Sequence, residues 1–476
     1  MDTMYDVIVV GAGPVGENVA DRTTRGGLRT ALVEGERVGG ECSYWACMPS
    51  KALLRSGAAL RAARAVGGAA QAVTGDLDVG AVLARRDRLT HGGDDTSQVE
   101  WVASAGIELI RGHGRLAGER IVQVTAGDGR AVTLTARHAV AVCPGSAALI
   151  PDIPGLSEAG PWTNRDATGV QDIPASLVIL GGGVVAAEMA TVFTDLGSAV
   201  TMVVRSRLLR GVEPFAADAV RASLTHRGVD IREGIAVAAA RRIGGSVHVM
   251  LADGRTVTGD EVLCATGRLP RTTDLGVDAV GLVPGAWLDV DDTQRVRGSD
   301  WLYAVGDVNH RAALTHQGKY QARAAGDVIV ARAFGRPVDD RPWGAHVATA
   351  DHAAVPQAIF TDPEIAAVGL TEAQAREKGL PVRVLDHDLS WIAGAATWSD
   401  DYRGRARAVV DTDREVLVGA TFVGPEVAEL VHAATIAVVA EVPLERLWHA
   451  VPPYPTVSEV WLRWLEEYGR SADRSR

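Results

Sequence analysis

The sequence predicts an α/β fold, and three observations support this prediction. Near the N-terminus, "YDVIVVGAGPVG" runs from an apolar strand into a glycine turn. Residues 176–190, "SLVILGGGVVAAEMA", repeat that pattern. The chain has 476 residues, which is enough for roughly two to four domains. Two strand–turn–helix units in one chain predict two Rossmann-like, doubly wound domains.

The first unit carries the residues of a dinucleotide site. Gly11, Gly13 and Gly16 have G-x-G-x-x-G spacing, and the strand "TALVEG" ends at Glu34. Such glycines let the backbone approach a pyrophosphate at a helix N-terminus, while an acid about 20 residues later binds a ribose hydroxyl. A simple glycine turn is the alternative. The flanking strand and helix and the position of Glu34 favour the dinucleotide site.

The second unit predicts a second dinucleotide. Its glycine turn reads G-x-G-x-x-A, and its second strand, "AVTMVV", is followed by arginines rather than an acid. Guanidinium groups suit the 2'-phosphate of NADPH, whereas an acid would favour NADH. We therefore expect NADPH, with NADH possible, although a solvated basic loop would show the same pattern. The residues concerned are Gly181, Gly183, Ala186, Arg205, Arg207 and Arg210.

A third nucleotide signal lies at residues 301–310, "WLYAVGDVNH". A short apolar strand ends there in Gly306 and Asp307, and "LTHQGKYQARAAG" then indicates a helix. Alone, this pattern would be an ordinary junction between a strand and a helix.

The segment "VGGECSYWACMPSKALLR" contains two closely spaced cysteines, Cys42 and Cys47. In a regular helix, residues five apart lie roughly 8 Å apart, given a rise of about 1.5 Å per residue. That exceeds the limit of about 7 Å between Cα atoms that a disulfide can bridge. A Cys42–Cys47 disulfide therefore needs a loop or a distorted turn, and such an accessible disulfide exchanges readily. The alternative is two unlinked cysteines in a packed segment.

Together these motifs resemble the class I pyridine nucleotide-disulfide oxidoreductases. "GGECSYWACMPSK" is similar to their G-G-x-C-x4-C-x-P-[ST]-K signature, and "LCATGRLP", which includes Gly267, is similar to A-T-G-R-x-P. "YAVGD" resembles their second FAD motif, and residues 355–379 resemble the start of their interface domain. The resemblance covers nearly the whole chain and implies a C-terminal α+β dimerisation domain. It divides the chain into an FAD-binding domain (1–155 and 275–345), an NAD(P)H-binding domain (156–274) and the interface domain (346–476).

The resemblance also implies roles for four residues. Cys42 would be the thiol that attacks substrate, and Cys47 would face the flavin. Lys51, one of three lysines in the chain, would lie near the flavin and pair with Glu188. A cation there stabilises negative charge on the reduced flavin, and its carboxylate partner offsets the cost of burial. Electrons would pass from NADPH through FAD to the Cys42–Cys47 disulfide and on to a disulfide substrate.

The C-terminal motif departs from the family pattern. Where the family has H-P-T-x-S-E, with a His–Glu pair that completes the other subunit's active site, this chain has "YPTVSE". Tyr454 replaces the histidine and Glu459 is kept, while His449 is out of register. A tyrosine, with a pKa near 10, donates a proton more readily than it accepts one. We therefore expect disulfide reduction rather than dithiol oxidation, with Tyr454 and Glu459 assisting proton transfer across a homodimer with shared active sites.

The sequence is compatible with more than one electron acceptor. The substrate is expected to be a small-molecule disulfide or another small oxidant. A quinone or a second nicotinamide, as in transhydrogenases, is the alternative acceptor, and a non-catalytic subunit is a third hypothesis. Mercuric reduction is disfavoured, because the family members that perform it have a C-terminal cysteine pair and "EEYGRSADRSR" has none. Tyr44 and Trp45 could contact substrate or only pack the loop.

Composition and hydropathy limit the partners and the cellular compartment that the sequence allows. The net charge of −11 and the lack of a basic run argue against nucleic-acid binding. No apolar run of roughly 18 residues predicts a membrane span, and no signal peptide is recognised at the N-terminus. We therefore expect a cytoplasmic protein with no membrane partner and no metal. Cys143 and Cys264 lie in apolar runs and are predicted to be inert core residues.

Overall fold

The computed structural model describes residues 3–470. Up to residue 149 its elements are β1 (Met4–Val10), α1 (Pro14–Arg25), β2 (Thr30–Glu34), α2 (Gly40–Tyr44), α3 (Cys47–Arg64), α4 (Ala69–Ala72), α5 (Val79–Leu89), α6 (Thr96–Ser104), β3 (Glu108–Arg111), β4 (His113–Gly118), β5 (Ile121–Thr125), β6 (Ala131–Val142) and β7 (Ser146–Ala148). From residue 150 to 267 they are α7 (Asn164–Gly169), β8 (Ser176–Leu180), α8 (Val184–Asp195), β9 (Ala199–Val204), α9 (Pro214–His226), β10 (Asp230–Glu233), β11 (Val237–Ile243), β12 (Ser246–Leu251), β13 (Thr256–Gly259) and β14 (Glu261–Cys264).

The remaining elements follow residue 267. They are β15 (Arg268–Pro270), β16 (Leu302–Ala304), α10 (Thr315–Ala333), α11 (Ala350–Ala353), β17 (Pro356–Ile359), β18 (Glu364–Gly369), α12 (Glu372–Glu377), β19 (Val382–Asp388), α13 (Ala393–Trp398), β20 (Arg405–Asp411), β21 (Val416–Gly424), α14 (Val431–Val439), α15 (Leu444–Leu447) and α16 (Val460–Tyr468).

Contacts within the chain divide it into two compact units. The first comprises the chain up to Pro49, Asp87–Leu149 and Arg268–His352. The second comprises Ser50–Arg86, Ile150–Gly267 and the chain from Ala353 onward. The division into FAD-binding, NAD(P)H-binding and interface segments at residues 155, 274 and 345 remains a prediction.

The first unit is built on a largely parallel sheet. Its strand order is β3-β2-β1-β6-β5-β4, and β16 also pairs with β6. β1 lies between β2 and β6 in parallel register, with Val10 beside Val33 and Val142. Strands buried on both faces are continuous apolar runs, which explains "YDVIVV". The glycine turn after β1 therefore lies at the carboxyl edge of the sheet, where doubly wound folds bind ligands.

The second unit contains a parallel sheet and a separate antiparallel sheet. β10-β9-β8-β14 is parallel and carries the second glycine turn after β8. β17-β18-β21-β20-β19 is antiparallel, with β21 buried along its whole length. α14 packs on the sheet at β21, and α16 packs on β19. The predicted α/β class with a C-terminal α+β domain is confirmed. Within residues 3–470, no helix has the length and apolar content to cross a membrane.

Candidate active site

The first glycine turn leaves open space above the N-terminus of α1. Gly11 has a φ of +101°, and a Cβ there would lie 2.4 Å from the carbonyl oxygen of Cys143. A Cβ at Gly16 would lie 1.8 Å from the carbonyl oxygen of Gly11, so close backbone packing requires both glycines. At Gly13, by contrast, a Cβ would have no atom within 4 Å. This open helix N-terminus fits the pyrophosphate of FAD.

Glu34 lies at the end of β2, beside that turn. Its Oε2 accepts a hydrogen bond from Ala12 N at 2.7 Å, and its Oε1 accepts one from Glu36 N at 2.7 Å. Burial raises the pKa of Glu34, and the two backbone donors oppose that shift. The carboxylate is thus fixed at the turn, and its remaining lone pairs can accept a hydrogen bond from a ribose hydroxyl.

Gly306 and Asp307 lie against the same turn. A Cβ at Gly306, whose φ is +85°, would lie 3.0 Å from the Val15 side chain at the start of α1. Asp307 Oδ2 accepts a hydrogen bond from Ser146 Oγ at 2.5 Å, and that hydroxyl is also 2.5 Å from Arg268 Nε. The two motifs predicted to bind FAD are therefore neighbours within the first unit.

Cys42 and Cys47 lie on either side of a break between two helices. α2 ends at Tyr44 and α3 begins at Cys47, so the distance between residues of one regular helix does not apply to the two cysteines. Both are free thiols, which is the reduced state of the pair. A hydrogen bond with Cys47, followed by burial, raises the pKa of Cys42, while Thr315 and Lys319 act in the opposite direction. Thr315 Oγ1 lies 3.3 Å from Cys47 Sγ.

Tyr44 packs the loop between the cysteines rather than facing solvent. Its side chain is buried, and its hydroxyl donates to the Val38 carbonyl at 3.1 Å. The Trp45 ring meets it edge to face, with centroids 5.7 Å apart, and the Arg37 guanidinium lies over both rings. Of the two roles open to Tyr44 in the sequence, the structure shows packing.

Lys51 and Glu188 form an ion pair within the second unit. Lys51 Nζ lies 2.7 Å from Glu188 Oε2, the contact that the family resemblance implies. Glu188 is on α8, and its other oxygen accepts a hydrogen bond from Phe360 N at 3.0 Å. The Lys51 ammonium also lies 5.0 Å from the centre of the Phe360 ring. The cost of burying the Glu188 carboxylate is thus offset by the Lys51 cation and the Phe360 backbone N–H.

The second glycine turn repeats the geometry of the first. A Cβ at Gly181 would lie 2.2 Å from the carbonyl oxygen of Ala265, whereas at Gly183 it would meet no atom within 4 Å. Ala186 is fully buried in α8. Gly267, with a φ of +153°, follows β14. The open N-terminus of α8 fits the pyrophosphate of a second dinucleotide.

Three arginines follow β9 beside that second turn. Leu209 N donates to the Gly182 carbonyl at 2.7 Å, and Leu208 N donates to Glu233 Oε1 at 2.5 Å, so the loop is fixed against the turn. Within the part of the chain that the structure describes, the guanidinium groups of this loop form no ion pair. They are exposed and belong to Arg205, Arg207 and Arg210.

The C-terminal motif presents an exposed tyrosine and a buried glutamate. Tyr454 is 76% exposed in the single chain, whereas Glu459 is 7% exposed and forms an ion pair with Arg463. The turn between them is stabilised by a hydrogen bond from Thr456 Oγ1 to the Pro453 carbonyl at 2.7 Å. The segment is therefore ordered by its own chain, while the Tyr454 ring is left free to contact another molecule.

The remaining candidate residues occupy less reactive positions. His449 is exposed, as expected of a surface histidine. Cys143 and Cys264 are buried, and burial raises the pKa of Cys264 to about 11. Both positions agree with inert core thiols. Within residues 3–470, no cluster of three or more His, Cys, Asp or Glu side chains could hold a metal ion.

Several residues of the site were not identified from the sequence. Thr315 lies on a helix that the sequence predicts, but no motif distinguishes its hydroxyl as the contact of Cys47. Ser146 and Arg268 meet because β7 pairs with β15, which is more than a hundred residues later in the chain, and both side chains contact Asp307. These contacts depend on sheet pairing, and local spacing does not reveal them.

Comparison with known proteins agrees with this geometry. Residues 5–323 match the pyridine nucleotide-disulphide oxidoreductase family, and residues 355–464 match its dimerisation domain. The chain is 33% identical to the dihydrolipoyl dehydrogenase of Halobacterium salinarum, over 98% of this chain and 96% of that protein. It is 30% identical to the mercuric reductase of Staphylococcus aureus, over 96% of this chain and 81% of that protein.

Two solved structures share the fold. LpdA from Mycobacterium tuberculosis is 25% identical, with a TM-score of 0.83 and coverage of 98% of this chain and 100% of that one. The HOCl-induced flavoprotein disulfide reductase RclA from Escherichia coli, solved as a Cu(II) complex, is 23% identical, with a TM-score of 0.84 and the same coverage. The chain therefore belongs to the pyridine nucleotide-disulphide oxidoreductase family, whose members are homodimeric flavoproteins that use FAD, a pyridine nucleotide and a redox-active cysteine pair.

Proposed function

We propose that this protein is an NADPH-dependent disulfide reductase that acts on small-molecule disulfides through Cys42 and Cys47. One observation carries the proposal: the two thiols lie side by side at a helix break, and the Thr315 hydroxyl lies 3.3 Å from Cys47 Sγ. A half-buried dithiol of this kind can close to a disulfide and reopen. When bound, FAD supplies the two-electron link between the pyridine nucleotide and this pair.

The unpaired arginines after β9 support NADPH as the electron donor. Arg205, Arg207 and Arg210 are exposed, and among the described residues none of them forms an ion pair with a carboxylate. They lie on a loop that is hydrogen-bonded to the second glycine turn. A planar guanidinium can bind a 2'-phosphate through two parallel hydrogen bonds. The ribose acid that would select NADH is replaced here by Arg205.

In the proposed reaction, the Cys42–Cys47 dithiol gives two electrons to the substrate disulfide. The Cys42 thiolate attacks one sulfur of the substrate disulfide, forms a mixed disulfide and expels one substrate thiolate. That thiolate takes a proton from the hydroxyl of Tyr454. Cys47 then attacks Cys42 Sγ and leaves a Cys42–Cys47 disulfide, and the second substrate thiolate leaves with the proton of the Cys47 thiol. The proton that Cys42 lost on ionisation returns to Tyr454. The hydride equivalent of NADPH and one proton from solvent restore the dithiol, so one NADPH is oxidised for each disulfide reduced.

Tyr454 is the basis for proposing reduction rather than oxidation. Its exposed ring is available to the active site of a second subunit, and a phenol donates a proton more readily than it accepts one near neutral pH. Glu459 is its proposed partner in proton transfer. The cytoplasm is the proposed compartment, since two of the four cysteines are assigned to redox chemistry and none to a stabilising framework.

The test compares electron acceptors for the FAD-loaded protein. NADPH oxidation is measured with a panel of small disulfides and with quinones, for wild type, Cys42→Ser and the buried-cysteine control Cys264→Ala. We expect disulfide turnover in wild type and in the control, and none in Cys42→Ser. Quinone reduction that persists in Cys42→Ser, with no disulfide turned over by any form, would replace the proposal with a quinone or transhydrogenase-type acceptor.

A further inference from the structure

A buried polar network adjoins the second FAD motif, Gly306 and Asp307, within the first unit. Gly306 N donates a hydrogen bond to Gln321 Oε1 at 2.8 Å, and Asn309 Nδ2 donates to the same oxygen at 2.9 Å. An amide oxygen has two lone pairs, so these two bonds occupy both. Gln321, on α10, and Asn309 are both buried. The turn that contains the motif is therefore held by the oxygen end of the Gln321 amide.

Asp351, on α11, fixes the orientation of that amide. Its Oδ2 accepts a hydrogen bond from Gln321 Nε2 at 2.9 Å, and its Oδ1 accepts one from Gln317 Nε2 at 3.0 Å. The two glutamines are four residues apart and so lie on one face of α10. A carboxylate oxygen accepts hydrogen bonds, whereas a backbone N–H only donates them. With Asp351 on one side and Gly306 N on the other, one orientation of the Gln321 amide satisfies both.

The Asp351 carboxylate is completely buried. Its side chain has no exposed surface, and Arg311 Nε lies 3.3 Å from its Oδ2 in an ion pair. Burial raises the pKa of Asp351, while Arg311, followed by the two glutamines, opposes that shift. Replacing a buried ion pair by apolar side chains is often neutral or stabilising. Stability alone therefore does not account for a carboxylate at this position, whereas control of the Gln321 amide does.

The turn held by this network carries a carboxylate oxygen that is open to a ligand. Asp307 Oδ2 accepts a hydrogen bond from Ser146 Oγ at 2.5 Å, whereas Asp307 Oδ1 has no hydrogen bond to any residue that the structure describes. That oxygen can accept a hydrogen bond from a hydroxyl of FAD. Gly306 N and the Asp307 side chain belong to the same turn, so a shift at the amide displaces the carboxylate.

We propose that Asp351 is a positioning residue for FAD: it holds the Gln321 amide, and through it the second FAD motif, in the conformation that binds the cofactor. This inference rests on the proposed assignment of that motif to FAD and not on the identity of the electron acceptor. Asp351 acts through Gln321 and does not touch the cofactor. No motif in the sequence distinguishes either residue.

Release of FAD from the holoenzyme tests this inference. FAD-loaded protein is diluted into buffer without FAD, and the return of free-flavin fluorescence gives the release rate. Asp351→Leu removes the acceptor, and Gln321→Glu places a second carboxylate against Asp351. Each should speed release roughly tenfold, the usual effect of losing one hydrogen bond to a charged group. Asp351→Asn combined with Gln321→Glu exchanges donor and acceptor, because the new amide donates to the new carboxylate. This double variant should release FAD at nearly the wild-type rate.

Thr30→Val is the matched control. It removes a buried hydrogen bond of the same unit, in which Thr23 Oγ1 and Thr30 Oγ1 are 2.9 Å apart. We expect it to lower stability toward urea without changing FAD release. Release from this control as fast as from Asp351→Leu would overturn the inference. So would a double variant that releases FAD as fast as Gln321→Glu alone, because Asp351 would then only stabilise the fold.

Asp307→Ala separates this inference from the assignment on which it rests. The release assay needs no disulfide substrate, so an error in the proposed acceptor does not affect it. If Asp307→Ala releases FAD at the wild-type rate, the second motif does not bind FAD, and the assignment and the inference both fail. If Asp307→Ala speeds release while Asp351→Leu does not, the assignment holds and only the role of Asp351 is wrong.

Discussion

Lys51 Nζ lies 2.7 Å from Glu188 Oε2, and the two partners differ sharply in exposure. The Glu188 side chain is 5% exposed, whereas the Lys51 side chain is 37% exposed. Removing Lys51 leaves a buried carboxylate with only the Phe360 amide as a donor, but removing the charge of Glu188 leaves an ammonium that water can reach. The pair is therefore asymmetric, and its two halves should respond differently to substitution.

The first prediction concerns this asymmetry. We expect Lys51→Met to destabilise the protein by about 1–3 kcal/mol, the cost of an unpaired buried polar group, and Glu188→Gln to cost less. Urea unfolding of the FAD-free protein measures both. Lys378→Met removes a lysine outside the pair and serves as the control. A larger loss for Glu188→Gln than for Lys51→Met would contradict the explanation by burial.

The second prediction concerns the Thr315 hydroxyl, 3.3 Å from Cys47 Sγ. Thr315→Val removes a donor to the sulfur, so the thiolate should form at a pH about one unit higher. The readout is the pH dependence of the long-wavelength band of the reduced flavoprotein, at about 530 nm as the family implies. Thr315→Ser keeps the hydroxyl and should resemble wild type. An unchanged midpoint in Thr315→Val would show that the contact does not stabilise the thiolate.

The third prediction concerns Glu17, in the first turn of α1. Burial, and to a lesser degree Glu34, raises the pKa of Glu17 from 4.5 to about 7, against the effect of Lys319. The folded state therefore keeps a proton that the unfolded state loses, so stability falls as the pH rises from about 4.5 through 7. Glu17→Gln avoids that loss and should be more stable than wild type at pH 8, by up to about 3 kcal/mol.

Urea unfolding of the FAD-free protein at pH 5 and pH 8 measures this difference. At pH 5 the two proteins should be nearly equal, because Glu17 is mostly protonated in the folded state. Glu100→Gln, on the exposed face of α6, should show no such dependence. A constant difference between Glu17→Gln and wild type at both pH values would rule out titration of Glu17 as the cause.

The fourth prediction concerns the nucleotide. Arg205→Ala should raise KM for NADPH at least tenfold and leave KM for NADH nearly unchanged, because only NADPH carries the 2'-phosphate. Steady-state kinetics with both nucleotides give the ratio. Arg241→Ala removes the same charge from β11 and controls for net charge. If wild type already has a higher kcat/KM with NADH, the assignment of this loop to the 2'-phosphate is wrong.

The fifth prediction concerns Tyr454. Wild type should oxidise dihydrolipoamide weakly near neutral pH, since a phenol is a poor base there. Tyr454→His introduces a base with a pKa near 6.5 and should raise that rate about a hundredfold, whereas Tyr454→Phe should not. Reduction of NAD+ or NADP+ by dihydrolipoamide is followed for each variant. Fast oxidation by wild type would mean that the side chain at 454 does not set the direction of the reaction.

The glycine turns and the cysteine segment were recognisable in the sequence because each depends on local spacing. Gly16 is required by the carbonyl of Gly11 within one strand–turn–helix unit, so the spacing of the first motif is recognisable within about 30 residues. A Cys42–Cys47 disulfide requires a loop or a distorted turn, and the break between α2 and α3 provides one. The fold class could likewise be predicted, because buried parallel strands are continuous apolar runs.

Tertiary structure decided which side chains face one another across the chain. Thr315 reaches Cys47 across 268 residues, and Glu188 meets the Phe360 amide across 172. Such contacts arise from sheet pairing and helix packing, which join residues distant in sequence and leave no periodic signal. Local sequence patterns therefore determined the fold class and the Cys42–Cys47 pair. Tertiary packing determined which distant side chains contact the pair, as Thr315 contacts Cys47.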